Sequence, residues 1–476
     1  MIDDAEAPAR ATSPPATVDV VIPYYRNQPG LDRILAALRS QSGLERTGLA
    51  GPPRIIVADD GSPTPPRVPS EVTVVHQADE GFRASAARHL GARAGSGDIL
   101  LFLDGDTVPG PGYIAALCAA LAGRPDLLAV GRRRYARVTG GPEGPDPADI
   151  LPDPPWPASF YAETENLTSG DDLWRGVISA VFGLHRRLYD LAGGFDPDIV
   201  GYGGEDWDLA WRCEQAGGRL LHVPDAVGWH DGPDWSGRST DGGIAEKTAA
   251  KNVETARLAP LIASPLTRPA AGIFALPMIA VHVHAGGPAF TGSGATAATV
   301  ASLLSWHDVA VTVDPGTPDA DLIAELFSAD PRVSVGGDAD ADASAGADAD
   351  AGTGTGADAD AGVGSGPHGR WERWAGQGEG PRRRPPILVD IHHPCALEDL
   401  DARRLRALCP PVGATTLEDA RGRPLATVRS ARAAARDQEW GDRPPGTAPI
   451  AGATVGIAPL GEPGQAIQLE RILGGW

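Results

Sequence analysis

The stretch Ile99-Leu100-Leu101-Phe102-Leu103-Asp104-Gly105-Asp106 has five consecutive apolar residues before two carboxylates that are separated by a glycine. A short apolar run bounded by turn residues is typical of a strand buried on both faces of a parallel sheet. Carboxylates at the end of such a strand are costly unless a cation meets them. Mg²⁺ and Mn²⁺ prefer oxygen ligands and commonly carry substrate phosphates. The alternative is a strand that simply ends in a polar turn.

Strands alternate with helices through the first half of the chain. We predict strands at residues 18–23, 54–62 and 72–76, and helices at residues 31–42 and 83–94. This alternation predicts βαβ units and a largely parallel sheet. Ligands of such sheets bind beyond the carboxyl ends of the strands. Asp59 and Asp60 end one strand and Asp104 and Asp106 end another, so one edge of the sheet would gather four carboxylates.

The composition limits the partners and the redox setting. The chain has 476 residues, enough for two or three domains, and a net charge of −21, which argues against nucleic acid or an anionic membrane as a partner. The four cysteines, Cys118, Cys213, Cys395 and Cys409, have no CxxC spacing, so neither a zinc site nor a disulfide framework is indicated. A reduced, cytoplasmic setting fits best.

No targeting or membrane-spanning segment is evident in the sequence. Residues 1–17 are acidic and rich in Ala and Pro, without a basic segment followed by an apolar run, and we predict a disordered tail there. No apolar stretch approaches the roughly 20 residues that span a bilayer. Any membrane contact would therefore be peripheral.

Four motifs of the first half carry a resemblance. They are Pro23-Tyr24-Tyr25, Val57-Ala58-Asp59-Asp60-Gly61-Ser62, Glu80-Gly81-Phe82-Arg83 with Ala86-Ala87-Arg88, and Leu103-Asp104-Gly105-Asp106. In this order and spacing they resemble the nucleotide-sugar-binding half of family 2 glycosyltransferases, which have the GT-A fold. The resemblance implies that the donor is a nucleotide sugar, with a UDP-linked sugar favoured.

The resemblance also implies which residues bind the donor. They are Pro23, Tyr25, Asp59, Asp60, Arg83, Arg88, Asp104 and Asp106. Asp60, with Asp59, would bind the uracil and ribose end of the donor. Arg83 and Arg88 would lie near the donor or its diphosphate.

A metal site is implied by the same resemblance. Asp106, with Asp104, would hold the metal and the ribose, and His230 would complete the metal site at the end of the strand pair predicted at residues 220–230. Imidazole with carboxylate oxygens suits Mn²⁺ as well as Mg²⁺. A bound cation of this kind acts as a Lewis acid against the charge on a leaving diphosphate. A purely structural role is the alternative for His230.

A second acidic motif, Gly203-Gly204-Glu205-Asp206, precedes a predicted helix. Acids in the first turn of a helix are favoured by its dipole, so simple capping is one interpretation. The stretch also resembles the carboxyl-terminal catalytic segment of β-1,4-galactosyltransferases and chondroitin-polymerase-type enzymes. By that resemblance Asp206 is the general base that deprotonates the acceptor hydroxyl, and Glu205 positions the acceptor.

The resemblance extends to the acceptor side and to the stereochemistry. Acceptor contacts would come from Gly203, Gly204, Glu205 and Trp174. A base on the face opposite the leaving diphosphate implies one in-line displacement, with inversion at the anomeric carbon. Such a base must come within about 3 Å of the hydroxyl, so its placement matters more than a shifted pKa.

Residues 269–476 predict a second, smaller α/β domain. Its strands and helices repeat the order of residues 18–268, which suggests a degenerate GT-A-like repeat. His392-His393 stands where the first domain has Asp104-Gly105-Asp106, and no Gly-Gly-Glu-Asp counterpart follows. We therefore expect a non-catalytic domain that packs on the first, binds acceptor or forms a homodimer. An unrelated α/β domain is the alternative. Residues 338–366 predict a disordered acidic loop.

Taken together, the sequence predicts a metal-dependent inverting glycosyltransferase that uses a nucleotide sugar and Mn²⁺ or Mg²⁺. The acceptor would be a saccharide, a glycolipid or a natural product. A sugar nucleotidyltransferase is one alternative, although it would need a Gly-rich loop with a basic residue after the first strand, where this chain has Pro23-Tyr24-Tyr25-Arg26-Asn27. A non-catalytic nucleotide-sugar-binding protein is the other alternative.

Overall fold

The chain divides into two compact units in the computed structural model: residues 1–214 with 218–249, and residues 215–217 with 250–476. The division falls inside the helix Gly243–Leu261, earlier than the boundary predicted after residue 268. The structure describes residues 16–138, 143–232, 243–269, 272–284, 287–336, 380–397, 402–442, 449–455, 457–460 and 462. Residues 1–15 of the predicted tail, and the whole predicted acidic loop 338–366, lie outside the described residues.

The first unit is built on an eight-stranded sheet. Its strands are β1 Val18–Tyr24, β2 Arg54–Asp59, β3 Thr73–His76, β4 Ile99–Leu103, β5 Thr107–Pro109, β6 Leu127–Ala136, β7 Val181–His185 and β8 Arg219–Asp231. They lie in the order β3-β2-β1-β4-β7-β6-β8-β5. The first four in this order are parallel, β7 is antiparallel to β4 and β6, and β8 runs parallel to β6. The predicted α/β class is therefore confirmed.

Seven helices connect or flank these strands in the described residues. They are α1 Gln28–Arg39, α2 Ala84–Ala94, α3 Tyr113–Leu121, α4 Pro155–Glu163, α5 Arg186–Leu191, α6 Glu205–Gln215 and α7 Gly243–Leu261. The start of α1 illustrates the local causes: Asn27 Oδ1 accepts from the Gly30 N–H at 3.0 Å, which caps the helix. Leu31, Ile34 and Leu38 recur at helical spacing and are buried.

Strand β4 lies at the centre of the first sheet, and all five of its residues are buried. Phe102 packs against Phe182 of β7 at 5.0 Å between ring centroids, and against Phe195 at 5.1 Å. Aromatic burial of this kind makes a large contribution to core stability. The buried strand predicted from the apolar run is thus confirmed, and its carboxyl end is held rigidly.

One stretch differs from its prediction. The many Pro, Gly and Asp residues of 132–161 predict a loop, with Arg132-Arg133-Arg134 as a solvated strand end or an acceptor contact. In the structure β6 continues through the three arginines, and α4 follows at Pro155–Glu163. The strand persists because β8 pairs with its second half, after a register shift between Gly131 and Arg132. The predicted strand pair at residues 220–230 is the single long strand β8.

The second unit contains a seven-stranded sheet and a two-stranded one. Its strands are β9 Ile279–Val283, β10 Val309–Val313, β11 Val333–Val335, β12 Ile387–Ile391, β13 Cys395–Leu397, β14 Thr415–Glu418, β15 Pro424–Ser430, β16 Ile450–Ala451 and β17 Ile457–Pro459. Its helices are α8 Ala295–Leu303, α9 Ala320–Leu326, α10 Ala402–Leu408 and α11 Ala431–Trp440. The larger sheet has the order β11-β10-β9-β12-β15-β14-β16, and β13 pairs with β17.

The two large sheets have matching strand order and direction over seven strands. In the second unit the first four strands are parallel, β15 is antiparallel to β12, β14 is antiparallel to β15, and β16 is parallel to β14. The first unit has the same sequence of directions from β3 to β8. This correspondence agrees with the repeated element order seen in the sequence.

Among the described residues, no helix combines the length and the apolar character that crossing a membrane requires.

Candidate active site

Two adjacent acids end β2, and both accept hydrogen bonds within the chain. Asp59 is fully buried; its Oδ1 accepts from the Ser62 N–H at 3.0 Å, and its Oδ2 lies 2.9 Å from His76 Nδ1. Asp60 accepts from Gln77 Nε2 at 2.6 Å and from the Arg83 N–H at 2.9 Å. Asp60 thereby ties the predicted donor motif at Arg83 to the end of β2.

The residues beside these acids are more exposed. The Tyr25 ring follows β1, and its hydroxyl donates to Asp79 Oδ2 at 3.2 Å. Arg83 forms an ion pair with Glu80. Both side chains thus lie at the carboxyl edge of the sheet, where the sequence predicted donor contacts.

The Asp104-Gly105-Asp106 turn passes very close to the end of β1. A Cβ atom at Gly105 would lie 2.7 Å from the carbonyl oxygen of Pro23, so only glycine allows this approach. Asn27 Nδ2 donates to the Gly105 carbonyl at 3.1 Å and holds the turn in place. The two carboxylates therefore emerge from a turn that is fixed on both sides.

Asp106 and His230 meet through strand pairing. Thr107 of β5 lies opposite His230 of β8 in the antiparallel register, which brings the preceding carboxylate to the imidazole. His230 Nε2 lies 3.3 Å from Asp106 Oδ2. The Asp106 side chain is 43% exposed, whereas that of His230 is 7% exposed. An accessible carboxylate beside a fixed imidazole is a donor set that suits Mn²⁺ or Mg²⁺.

Arg88 links acids from two distant motifs. Its Nη2 forms an ion pair with Asp104 Oδ1, and its Nη1 donates to Glu205 Oε1 at 3.0 Å. The residue is only 3% exposed, and its guanidinium lies over the Phe195 ring at 5.5 Å from the centroid. The turn after β4 and the start of α6 are therefore joined by one buried cation.

Arg88 has a raised pKa, and one polar atom of Arg88 and one of Glu205 have no hydrogen bond among the described residues. Burial opposes the charged form of Arg88, but the Asp104 and Glu205 carboxylates outweigh it and raise the pKa of the guanidinium. Arg88 Nε and Glu205 Oε2 are buried and have no hydrogen-bond partner within the structure. Buried polar atoms are usually paired, so such atoms are typical of strained or functional places. Arg88, predicted to lie near the donor or its diphosphate, contacts two carboxylates.

Helix α6 begins directly after two glycines with left-handed backbone. Gly203 and Gly204 both have φ of +92°, which side-chain-bearing residues rarely adopt. The first helical hydrogen bond runs from the Asp208 N–H to the Gly204 carbonyl at 2.9 Å. This turn places Glu205 and Asp206 in the first helical turn, where the helix dipole favours negative charge.

Asp206 is held by backbone donors and has a shifted pKa. Its Oδ2 accepts from the Ser179 N–H at 3.2 Å, and its Oδ1 accepts from the Trp207 N–H at 2.8 Å. Burial, followed by the adjacent Glu205 carboxylate, raises the pKa of Asp206 to about 7. A carboxylate with a pKa near neutrality is matched to the work of a general base.

A fully buried ion pair within α6 joins this helix to the segment around Gly194. Arg212 Nη2 donates to Asp208 Oδ2 at 2.6 Å, and Arg212 Nη1 donates to the Gly194 carbonyl at 2.6 Å. Both side chains have no exposed surface. The Gly193-Gly194-Phe195 segment therefore supports α6, with Phe195 packed in the core.

The aromatic residues near the start of α6 differ in exposure, which bears on the predicted acceptor contact of Trp174. Trp174 is only 2% exposed and packs edge-on against Trp207, so its ring has almost no surface for an acceptor. Phe82 and Tyr202, by contrast, are 51% and 59% exposed, with ring centroids 6.0 Å apart. The Gly201 N–H donates to the Phe82 carbonyl at 2.9 Å and joins their loops. The sequence does not indicate this pair because the two residues are far apart in the chain, although Phe82 lies within one recognised motif and Tyr202 directly precedes another.

Comparisons with known proteins agree with the motifs. Validoxylamine A glucosyltransferase of Streptomyces hygroscopicus subsp. jinggangensis (strain 5008) is 31% identical over 231 residues, which cover 44% of this chain and 53% of that protein. Chondroitin synthase of Escherichia coli is 24% identical over 270 residues, which cover 50% of this chain and 37% of that protein. This chain therefore spans about half, or less, of the length of these relatives.

A solved structure of GalNAc-T7 with UDP, GalNAc and Mn²⁺ matches at 19% identity and a TM-score of 0.32, covering 45% of this chain and 44% of that one. The model of the family described as glycosyl transferase family 2 matches residues 19–189. That match includes all four motifs from Pro23 to Asp106 and confirms the family predicted from them. Residues 19–189 of this chain form a glycosyl transferase family 2 domain.

Proposed function

We propose that the first unit is a metal-dependent, inverting glycosyltransferase that moves a sugar from a UDP-linked donor to an acceptor hydroxyl. The family match over residues 19–189 supports transfer from a nucleotide sugar. The buried bridge of Arg88 to both Asp104 and Glu205 supports a single site for donor and acceptor. This bridge joins the motif expected to bind the donor with the motif expected to bind the acceptor.

Asp106 and His230 are the residues that would hold a divalent cation. Their side chains fit one, because an exposed carboxylate oxygen and a buried imidazole nitrogen lie 3.3 Å apart. When bound, Mn²⁺ or Mg²⁺ would supply Lewis-acid stabilisation for the charge on the departing diphosphate. Asp59 and Asp60 hold the end of β2 at the same sheet edge, where the nucleoside of the donor would bind.

Asp206 is the proposed base. Its Oδ atoms would take the proton of the acceptor hydroxyl as the hydroxyl oxygen attacks the anomeric carbon, with departure of the nucleoside diphosphate from the opposite face. The pKa of about 7 lets a substantial fraction of Asp206 be ionised at neutral pH while it stays basic enough to accept a proton. Hydrogen bonds from Ser179 N and Trp207 N orient the carboxylate.

Glu205 and the Phe82–Tyr202 pair are the proposed acceptor contacts. Glu205 Oε1 is held by Arg88, while Oε2 has no partner within the structure and retains the capacity to accept from a hydroxyl. The two exposed rings lie on loops that join next to Gly203, and aromatic faces of this kind suit the apolar face of a sugar. These contacts favour a saccharide or a glycosylated natural product as the acceptor.

The decisive experiment is an activity screen. The purified chain is incubated with single nucleotide sugars and Mn²⁺ or Mg²⁺, and release of nucleoside diphosphate is measured with and without a panel of saccharide and natural-product acceptors. We expect release from at least one UDP-sugar, which chelation by EDTA abolishes. Release of pyrophosphate from a sugar phosphate and a nucleoside triphosphate would instead indicate a nucleotidyltransferase. Donor binding with no turnover under any condition would indicate a binding protein.

A further inference from the structure

The second unit has a cluster of histidines and carboxylates at one edge of its sheet. Strands β9 and β12 are apolar except for the fourth of their five residues, which is His282 in β9 and Asp390 in β12. The two residues are direct neighbours in the parallel register between these strands. His284 follows β9, and Asp314 follows β10 at the same edge. Both His282 and Asp390 are buried.

The distances within this cluster are those of groups that share a cation. One ligand atom from each of His282, His284 and Asp390 lies within 4.8 Å of the other two. His282 Nδ1 is 3.7 Å from Asp390 Oδ1, which is too long for a hydrogen bond. Ligand atoms around a tetrahedral ion with bonds of about 2.1 Å lie about 3.4 Å apart. Small side-chain rotations would therefore close the set around one ion.

The outer partners of the cluster have the arrangement that metal ligands need. His282 Nε2 lies 2.7 Å from Asp314 Oδ1, a distance at which Nε2 can donate to the carboxylate; in the neutral ring with that tautomer, Nδ1 has the lone pair. Metal-bound histidines commonly donate their other N–H to a carboxylate in this way. The second oxygen of Asp390 faces Arg429, whose Nη2 is 3.8 Å from Oδ2. One oxygen of Asp390 is thus oriented toward His282 and the other toward a cation.

The rings of the two histidines lie side by side. The centroids of His282 and His284 are 5.1 Å apart with an interplanar angle of 25°. In the neutral ring with Nε2 donating to Asp314, His282 Nδ1 and Asp390 Oδ1 are two electron-rich atoms that face each other at 3.7 Å. A metal ion between them, or a proton on Nδ1, relieves their repulsion in this buried place.

We propose that His282, His284 and Asp390 form a binding site for a divalent transition metal in the second unit, with Zn²⁺ the best fit. Two imidazoles and one carboxylate match the ligand preference of Zn²⁺, and three protein ligands leave one position for water or a substrate oxygen. The inference does not depend on the proposed glycosyl transfer, because Asp106 and His230 belong to the other unit. The proposed ligands come from β9, the residue after it and β12, and they do not include His392 or His393, which follow β12.

The experiment is a Zn²⁺ titration of the full chain against a chromophoric chelator, in an excess of Mg²⁺. The variants are His284→Gln, Asp390→Asn and Asp314→Asn. We expect one tight equivalent of Zn²⁺ in the unaltered protein and at least a 100-fold loss of affinity in the first two variants. Asp314→Asn, which changes only the outer partner, should weaken binding about 10- to 100-fold.

Two control variants separate this site from others in the chain. His307→Gln changes an exposed histidine before β10, at the opposite edge of the sheet, and should bind Zn²⁺ unchanged. Asp106→Asn alters the first unit's proposed cation site and should keep the tight equivalent. Circular dichroism shows whether each variant is folded. If His284→Gln or Asp390→Asn does not fold, Asp314→Asn still tests the site.

Absence of tight Zn²⁺ binding in the unaltered protein, or its persistence in folded His284→Gln and Asp390→Asn, would overturn the proposal. An imidazolium of His282 held between two carboxylates would then explain the cluster.

Discussion

Arg88 is a buried cation that pairs with two acids of the first unit, Asp104 and Glu205. It is 3% exposed, and it pairs with the buried Glu205 carboxylate and with Asp104, whose side chain is 25% exposed. The sequence motifs predict that Arg88 lies near the donor or its diphosphate, and they do not indicate its two carboxylate partners. A bridge between residues 117 positions apart in the sequence could not be predicted, because nothing in the local pattern indicates which carboxylate meets which cation.

Replacing Arg88 should therefore destabilise the protein strongly. Arg88→Met removes the cation and leaves the two carboxylates unpaired, for which we expect a loss of about 3–5 kcal/mol in the free energy of unfolding. Adding Glu205→Gln should recover part of that loss. Arg39→Met is the matched control, because the Arg39–Glu71 pair is exposed and such pairs contribute at most about 1 kcal/mol. Urea unfolding measures all four proteins, and equal losses for Arg88→Met and Arg39→Met would contradict this account.

The ionisation of Asp206 should govern the pH dependence of transfer. The base acts only when deprotonated, so kcat/KM should fall as the pH falls through about 7, the pKa that burial and Glu205 impose. Glu205→Gln removes the second of these causes and should move the acidic limb of the profile to lower pH. Glu163→Gln, an exposed change on α4, should leave the limb in place. A limb that does not move in Glu205→Gln would mean that another group sets it.

At the scale of elements, the apolar runs and the helical periodicities predicted most of the first sheet. Strands β1, β2 and β4 and helix α2 lie where the sequence placed them, within a few residues. Strand β6 extends into residues 132–136, a part of the chain for which the Pro, Gly and Asp content of residues 132–161 predicts a loop. Cation packing explains the difference: the Arg134 guanidinium lies 4.8 Å from the Trp229 ring centroid, and Arg134 Nε is 3.2 Å from Asp153. These partners become neighbours only after β6 and β8 pair.

The turn before α6 provides a test at this scale. Gly204→Ala forces a side chain into backbone with φ of +92°, which costs about 1–3 kcal/mol and would shift Glu205 and Asp206. We expect lower stability by that amount and a kcat reduced at least tenfold, with little change in the affinity for the donor. Gly112→Ala is the control, since its φ is −100° and an added Cβ meets open space. Unchanged kcat in Gly204→Ala would show that this turn does not position the base.

For the whole molecule, the two large sheets share strand order and direction, while their acidic motifs differ. We propose that the second unit is a degenerate repeat of the first, as the repeated order of elements suggested. Its histidine cluster could not be found from the sequence, because His282 and Asp390 are neighbours only across the sheet. Homodimer formation through this unit and peripheral membrane contact stay predictions.

We propose that one edge of the first sheet contains two separable functions: a cation and donor site at Asp106 and His230, and an acceptor base at Asp206. Isothermal titration of the preferred UDP-sugar, with and without Mn²⁺, tests it directly when it is combined with transfer rates. Asp206→Asn should bind donor within about threefold of the unaltered protein and lose at least 100-fold in transfer, in line with the cost of removing a general base. Asp106→Asn should lose the Mn²⁺-dependent part of donor affinity. Loss of donor binding in Asp206→Asn with residual transfer, or unchanged Mn²⁺-dependent affinity in Asp106→Asn, would contradict the account.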